Sequence, residues 1–182
     1  MPPVIIPQVI IRSSDIHAAG CFALEKIPAG VRVLEYTGDR MAHKDADELY
    51  KGRPYTYLFG VGDGETVIDG YGMAMYVNHS CTPNCETEED DDNRVWIMSI
   101  REIQPGEELV YDYFLYDGDG DAPCTCGTPN CRGTMYSPKE IARRKRAATK
   151  LANATKKQNG AASKRSGPTT SKSSGQKKKR VR

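Results

Sequence analysis

The chain has 182 residues, with 26 Lys and Arg against 24 Asp and Glu, a formal charge of only +2 that hides a segregation. Residues 139–182 hold 16 of the bases and one acid, Glu140, whereas residues 1–138 hold 10 bases and 23 acids, so an acidic domain precedes a basic tail. No stretch reaches the ~18 apolar residues of a membrane span, and Met1-Pro2-Pro3-Val4-Ile5-Ile6-Pro7, broken by prolines and without a basic start, is not a secretion signal. An intracellular protein with no membrane partner is expected, nuclear or chromosomal in a eukaryote, cytoplasmic or nucleoid-associated in a bacterium. In a reducing compartment its six cysteines favour a metal or buried thiols over a disulfide frame.

In chain order, β-branched and aromatic runs predict strands at Val9–Arg12, Cys21–Glu25, Val31–Tyr36, Tyr55–Phe59, Thr66–Ile68, Val95–Ile100 and Glu108–Tyr111. Lys44–Lys51 is the best helix, and Met73–Val77 allows one short turn. Pro28-Ala29-Gly30 and Gln104-Pro105-Gly106 read as one turn used twice. Residues 117–123 form a hinge rich in Gly and Asp, a Cys-rich module follows at 124–136, and Pro138–Leu151 has the composition of a helix before low complexity sets in. Short strands with little helix predict a compact, mainly β domain followed by a mostly disordered basic tail.

Cys124-x-Cys126-x4-Cys131 holds three thiols in one tight loop, one short of the four that close a structural zinc site. Cys81 and Cys85 are the candidates for the fourth, with Cys21 more distant. His17, His43 and His79 are too few and too scattered for a His-rich site. Asp69 and Asp112 read as structural hydrogen-bond acceptors.

Three motifs stand in order within 54 residues: Asn78-His79-Ser80-Cys81-Thr82-Pro83-Asn84, Gly106-Glu107-Glu108-Leu109-Val110-Tyr111-Asp112-Tyr113, and Cys124-x-Cys126-x4-Cys131, which runs on into Arg132-Gly133. With Leu24–Gly30, Glu35–Asp39, Thr56–Phe59 and Ile68-Asp69 they make residues 8–137 resemble the SET-domain protein lysine methyltransferase family with a post-SET zinc loop. The resemblance implies an N-terminal extension at 1–7, a SET domain at 8–117, a post-SET zinc loop at 118–137 and a basic tail at 138–182. It also implies a β-clip-like fold of small curved sheets with a C-terminal pseudoknot, in which the segment ending at Tyr113 threads beside Asn78–Cys81.

The same resemblance implies S-adenosylmethionine as cofactor, held by Ala18, Ala19, Gly20, Tyr57, Asn78 and His79, and structural zinc on Cys81, Cys124, Cys126 and Cys131, which selects Cys81 as the fourth ligand. Tyr113 is implied as the central catalytic hydroxyl, Tyr111 as the residue that limits the number of methyls, and Tyr36 as a wall of the lysine channel. Two positions depart from the family. Ala18 stands where glycine is usual, and is expected to keep a negative φ; Met75 stands where a basic residue is common. The expected substrate is a histone or histone-like Lys-rich tail.

The acidic run Glu86–Asp92 reads either as a solvated loop or as a steering surface for a cationic substrate. The tail reads first as a nucleic-acid attachment, and Lys177-Lys178-Lys179-Arg180 also resembles a nuclear localisation patch. Ala148-Thr149-Lys150 and Ala154-Thr155-Lys156 resemble histone-tail lysine contexts, which makes the tail a candidate substrate of its own domain. The competing reading is a non-enzymatic nucleic-acid-binding or chromatin-binding protein that works through the tail.

Overall fold

The structure is a computed structural model that describes residues 7–163 apart from 54, 117 and 119, with side chains described to residue 155. The first six residues, Asp117 and Asp119 of the hinge, and the Lys177–Arg180 patch lie outside the described residues. Two compact units are present, residues 1–138 and residues 139–182.

Three small sheets make up the first unit. One joins β1 (Val9–Ser13), β2 (Ala19–Ala23), β10 (Glu108–Tyr111) and β7 (Asn78–His79) in that spatial order. A second runs β3 (Arg32–Glu35), β9 (Val95–Ser99), β8 (Cys85–Glu89), and the third β4 (Gly38–Ala42), β6 (Thr66–Gly70), β5 (Leu58–Val61). Helix α1 (His43–Tyr50) follows β4 and buries only Ala46, and a 3₁₀ turn at Met73–Tyr76 leads into β7. The mainly β expectation holds, in the form of small sheets about one shared core.

The two similar turns meet. Ile27 and Ile103 exchange both backbone hydrogen bonds, at 3.0 and 2.9 Å, and both side chains are fully buried. Lys26 and Glu102 pair at 2.8 Å beside them. Gly30 and Gly106 take φ of +75° and +85°, a conformation that costs glycine nothing. The repeated Ile-x-x-Gly spacing is thus the record of two turns stacked back to back.

The last strand of the unit lies inside its sheet. β10 pairs antiparallel with β2 on one edge (Leu109 opposite Cys21) and parallel with β7 on the other (Tyr111 opposite His79). Beyond β7 the chain keeps hold of it: Ser80 N donates to Tyr111 O at 3.0 Å and Asn84 N to Val110 O at 3.2 Å. The Asn84 side chain then acts as a further piece of strand, donating to Glu108 O at 2.8 Å and accepting from Val110 N at 2.9 Å.

The first part of the acidic run is a strand rather than a solvated loop. Cys85–Glu89 is an edge strand paired residue for residue with β9. Glu88 takes the fork of buried Arg32 at 2.8 and 3.1 Å, which holds its carboxyl below the usual range. Asp90, its side chain only 2% exposed, accepts from Trp96 Nε1 and from Arg94. Arg94 also pairs with Asp92, and Glu89 caps Gly62 N. Glu88, Asp90 and Asp92 are therefore taken up within the β3–β9–β8 sheet and its hairpin, and Glu89 reaches across to the end of β5.

In the second unit, α2 runs Pro138–Ser163, twelve residues past the Leu151 end suggested by sequence. Proline at its first position and Glu140 in its first turn suit a helix start.

Asn84→Ala is expected to strip partners from two buried main-chain groups of β10. Urea unfolding should report a loss of about 2–4 kcal/mol, and Asn84→Asp, which keeps only the acceptor, should fall between it and wild type.

Candidate active site and metal centre

The parallel pairing of β10 with β7 brings Tyr111, Asp112 and Tyr113 against Asn78 and His79. Tyr113 N donates to His79 Nδ1 at 3.1 Å, so that nitrogen is unprotonated and Nε2 carries the proton, directed at Cys81 Sγ 3.4 Å away. Burial lowers the His79 imidazole to about 4, leaving a neutral ring that joins the cysteine cluster to the backbone of Tyr113.

Three tyrosines converge beside it. The rings of Tyr111 and Tyr113 lie 4.8 Å apart, and Phe59 links Tyr111 (6.4 Å) to Tyr36 (5.2 Å). Tyr113 OH donates to Val77 O at 3.0 Å, and Tyr36 OH to Tyr57 O at 2.8 Å. Burial pushes all three phenols well above their ordinary value, so at neutral pH they are hydroxyls. Tyr113 spends its proton on a carbonyl, and its oxygen keeps lone pairs to offer.

On the other side of Asn78 lies the turn before β2. Asn78 Nδ2 donates to Ala19 O at 2.9 Å, to Glu108 Oε1 at 2.7 Å and, at 3.4 Å, to His17 O. The second oxygen of Glu108 accepts from Ser14 Oγ at 2.9 Å. Gly20 makes room for this carboxylate: a Cβ there would sit 2.1 Å from Glu108 Oε1. Ala18 corrects the expectation placed on it. Its φ is +38°, in the left-handed region where the Cβ of any residue but glycine is crowded. Tyr57 is half-exposed, its carbonyl accepts from Tyr36 OH, and its ring lies 6.4 Å from that of Tyr76; His17 and Tyr55 stack at 5.1 Å. The aromatic rings of Tyr55, Tyr57 and Phe114 are exposed.

The four sulfurs of Cys81, Cys124, Cys126 and Cys131 lie within 4.8 Å of one another. Cys81 and Cys124 are 3.7 Å apart, close to the ~3.8 Å edge of a tetrahedron with ~2.3 Å metal–sulfur bonds. Main-chain N–H groups of Arg132, Cys126 and Gly133 point at Cys81, Cys124 and Cys131, as suits thiolates. Cys21 and Cys85, the other possible fourth ligands, are fully buried core thiols pushed up to about 12 by burial.

Arg132 ties this cluster to the tyrosines. Its guanidinium forks onto Asp112 at 2.6 and 2.8 Å while its N–H bonds Cys81 Sγ at 3.3 Å. Asp112 in turn accepts from Phe114 N at 3.1 Å. The loop is further fastened by Leu115 pairing with Met135 and Ser137, and by Thr125 Oγ1 on Ile16 O. Sequence reading gave no role to Glu108, Asn84 or Arg132. A charged residue opening the otherwise apolar run Leu109-Val110-Tyr111 is the signal that marks Glu108.

A family model described as the SET domain matches residues 18–114. The H3 lysine-4 specific histone-lysine N-methyltransferase of Aspergillus oryzae is 39% identical over 136 residues, covering 67% of this chain and 11% of its own. The H3 lysine-4 specific enzyme of Saccharomyces cerevisiae is 37% identical over 141 residues (70% and 13%). The histone-lysine N-methyltransferase SETD1B of Homo sapiens is 38% identical over 133 residues (67% and 7%). The chain thus spans about a tenth of the length of the curated relatives it matches.

Ala18→Gly should relieve the left-handed strain and raise the unfolding free energy by about 1 kcal/mol, read as a higher urea midpoint at constant m. Ala18→Val, β-branched at the same φ, should lower it.

Proposed function

Since this chain belongs to the SET-domain family, we propose that it is a protein lysine N-methyltransferase that uses S-adenosylmethionine and acts on histone-like Lys-rich tails. The observation that carries the reading is the convergence of Tyr111, Tyr113 and Tyr36, three neutral phenols, on the Asn78-His79 strand, whose Asn78 also holds the turn at Ala18–Gly20. S-adenosylmethionine, when bound, supplies a sulfonium-borne methyl for in-line transfer to an amine. The carbonyl-lined turn at Ala18, Ala19 and Gly20, with Asn78, His79 and the exposed Tyr57 ring, would hold it.

The chain's own contribution is alignment and exclusion of water, and alignment alone can lower such a barrier by up to ~7–11 kcal/mol. Tyr113, its proton committed to Val77 O, presents an acceptor oxygen to the reacting centre. Tyr36 and Phe59 form the wall of an apolar lysine channel. A lysine ammonium near ~10.4 in water loses its proton more readily between such walls, and the proton leaves to solvent. No tyrosinate base is needed, which agrees with the raised phenols. Tyr111 limits the number of methyls added by keeping a hydroxyl at the product side.

The Cys81–Cys124–Cys126–Cys131 set suits structural zinc, which would fix the 118–137 loop while Arg132 carries that order to Asp112. Domain limits of 8–117 for the catalytic part and 118–137 for the metal loop follow from this reading. Residues 139–182 would attach the enzyme to nucleic acid, so chromatin or a nucleoid is the proposed place of action. None of the described helices is long and apolar enough to cross a membrane.

Labelled methyl transfer to core histones should be saturable for wild type and fall at least ~10²-fold in Tyr113→Phe, with folding unchanged. Tyr111→Phe should keep the rate and shift products towards di- and trimethyl-lysine by mass spectrometry. Equal transfer by Tyr113→Phe would remove the proposal. Native mass spectrometry should find one zinc per chain in wild type and less than one in Cys81→Ser.

A further inference from the structure

Helix α2 carries its charge in an uneven pattern. Lys139, Arg143, Arg146 and Lys150 recur at i, i+4, i+7 and i+11, which at about 100° per residue confines them to an arc of about 60°. All four are exposed. They span about 16 Å along the axis at ~1.5 Å per residue. Arg144 and Lys145 lie about 130° away on either side of that arc. The one acid, Glu140, is neutralised by its own neighbours, at 2.6 Å from Arg143 and 2.7 Å from Arg144. From residue 145 to 155 every residue is exposed, Leu151 included, so this length of helix buries no apolar face.

We propose that this stripe is a docking face for duplex DNA, bound through its phosphates without regard to sequence. The chemistry selects that occupant. Duplex DNA presents one negative charge per ~1.7 Å of axis, and its major groove, ~12 Å wide, admits a helix of ~10–12 Å diameter. The deep, narrow major groove of A-form RNA does not admit a helix in this way. Single strands are bound by stacking on aromatic rings, and residues 139–182 contain none. The inference deepens the chromatin reading above and depends on it for the setting: the same chain would reach histone tails while held on the DNA beside them.

The test compares two full-length variants with equal charge loss, Arg146→Ala/Lys150→Ala on the stripe and Arg144→Ala/Lys145→Ala off it. Alanine keeps helix propensity, which circular dichroism checks. Binding to a mixed-sequence DNA duplex is measured from 50 to 200 mM salt. The stripe pair should flatten the slope of log K against log salt by about 1.8, equivalent to about tenfold less salt-induced loss over that range. The off-stripe pair should keep the wild-type slope. Equal responses of the two pairs would overturn the proposal, as would absence of binding by wild type or a preference for single-stranded RNA. Transfer to a free histone peptide, measured in the same samples, should be unchanged in both variants. Wild type that binds duplex but transfers no methyl would leave the DNA face standing and remove the enzyme reading instead.

Discussion

Everything in the first unit depends on where β10 lies. It is the last strand of the unit, yet it sits between β2 and β7 rather than on an edge, and so touches both halves of the chain that precedes it. A strand inserted late has to satisfy hydrogen bonds on two sides. β7 supplies only two residues, so the second side is completed by Ser80 N, Asn84 N and the Asn84 amide. From that one insertion follow the fully buried Leu109, the contact of Tyr111 and Tyr113 with His79, and the seat of Glu108 over Gly20.

Two forked ion pairs, each with one buried partner, act as fasteners. Arg32 gathers Glu88 and Asp90 under the β3–β9–β8 sheet, and Arg132 forks onto Asp112 between the cysteine loop and the tyrosines. A bidentate guanidinium–carboxylate pair fixes orientation as well as distance. Removing one partner of such a pair strands the other charge. The order of the tyrosine site is in this way linked to the order of the cysteine loop, through His79 on one path and Arg132 on another.

The elements that were legible in sequence are those whose pattern is local. The twin Ile-x-x-Gly turns, the strands β1, β3 and β9 and the helix α1 all advertise themselves within a few residues. The cysteine spacing announces three members of the cluster, and the fourth, Cys81, needed the family motif. β4, β7 and β8 were invisible for separate reasons. β7 is two residues long. β4, Gly-Asp-Arg-Met-Ala, has neither alternation nor β-branched residues and owes its conformation to β6. β8 is an edge strand whose acids find partners far away in sequence, 56 residues in the case of Arg32 and Glu88. The positive φ of Ala18 goes with a local bond from Ser14 N to its carbonyl and a long-range one from Asn78 to the next, which no propensity reports.

The central claim is that the Ala18–Gly20 turn, Asn78 and the tyrosine cluster together form a methyl-donor site. Calorimetric titration of the folded, zinc-loaded protein with S-adenosylmethionine tests it without assuming any acceptor. The account predicts one saturable site per chain. Absence of binding by folded, metal-loaded protein would contradict it.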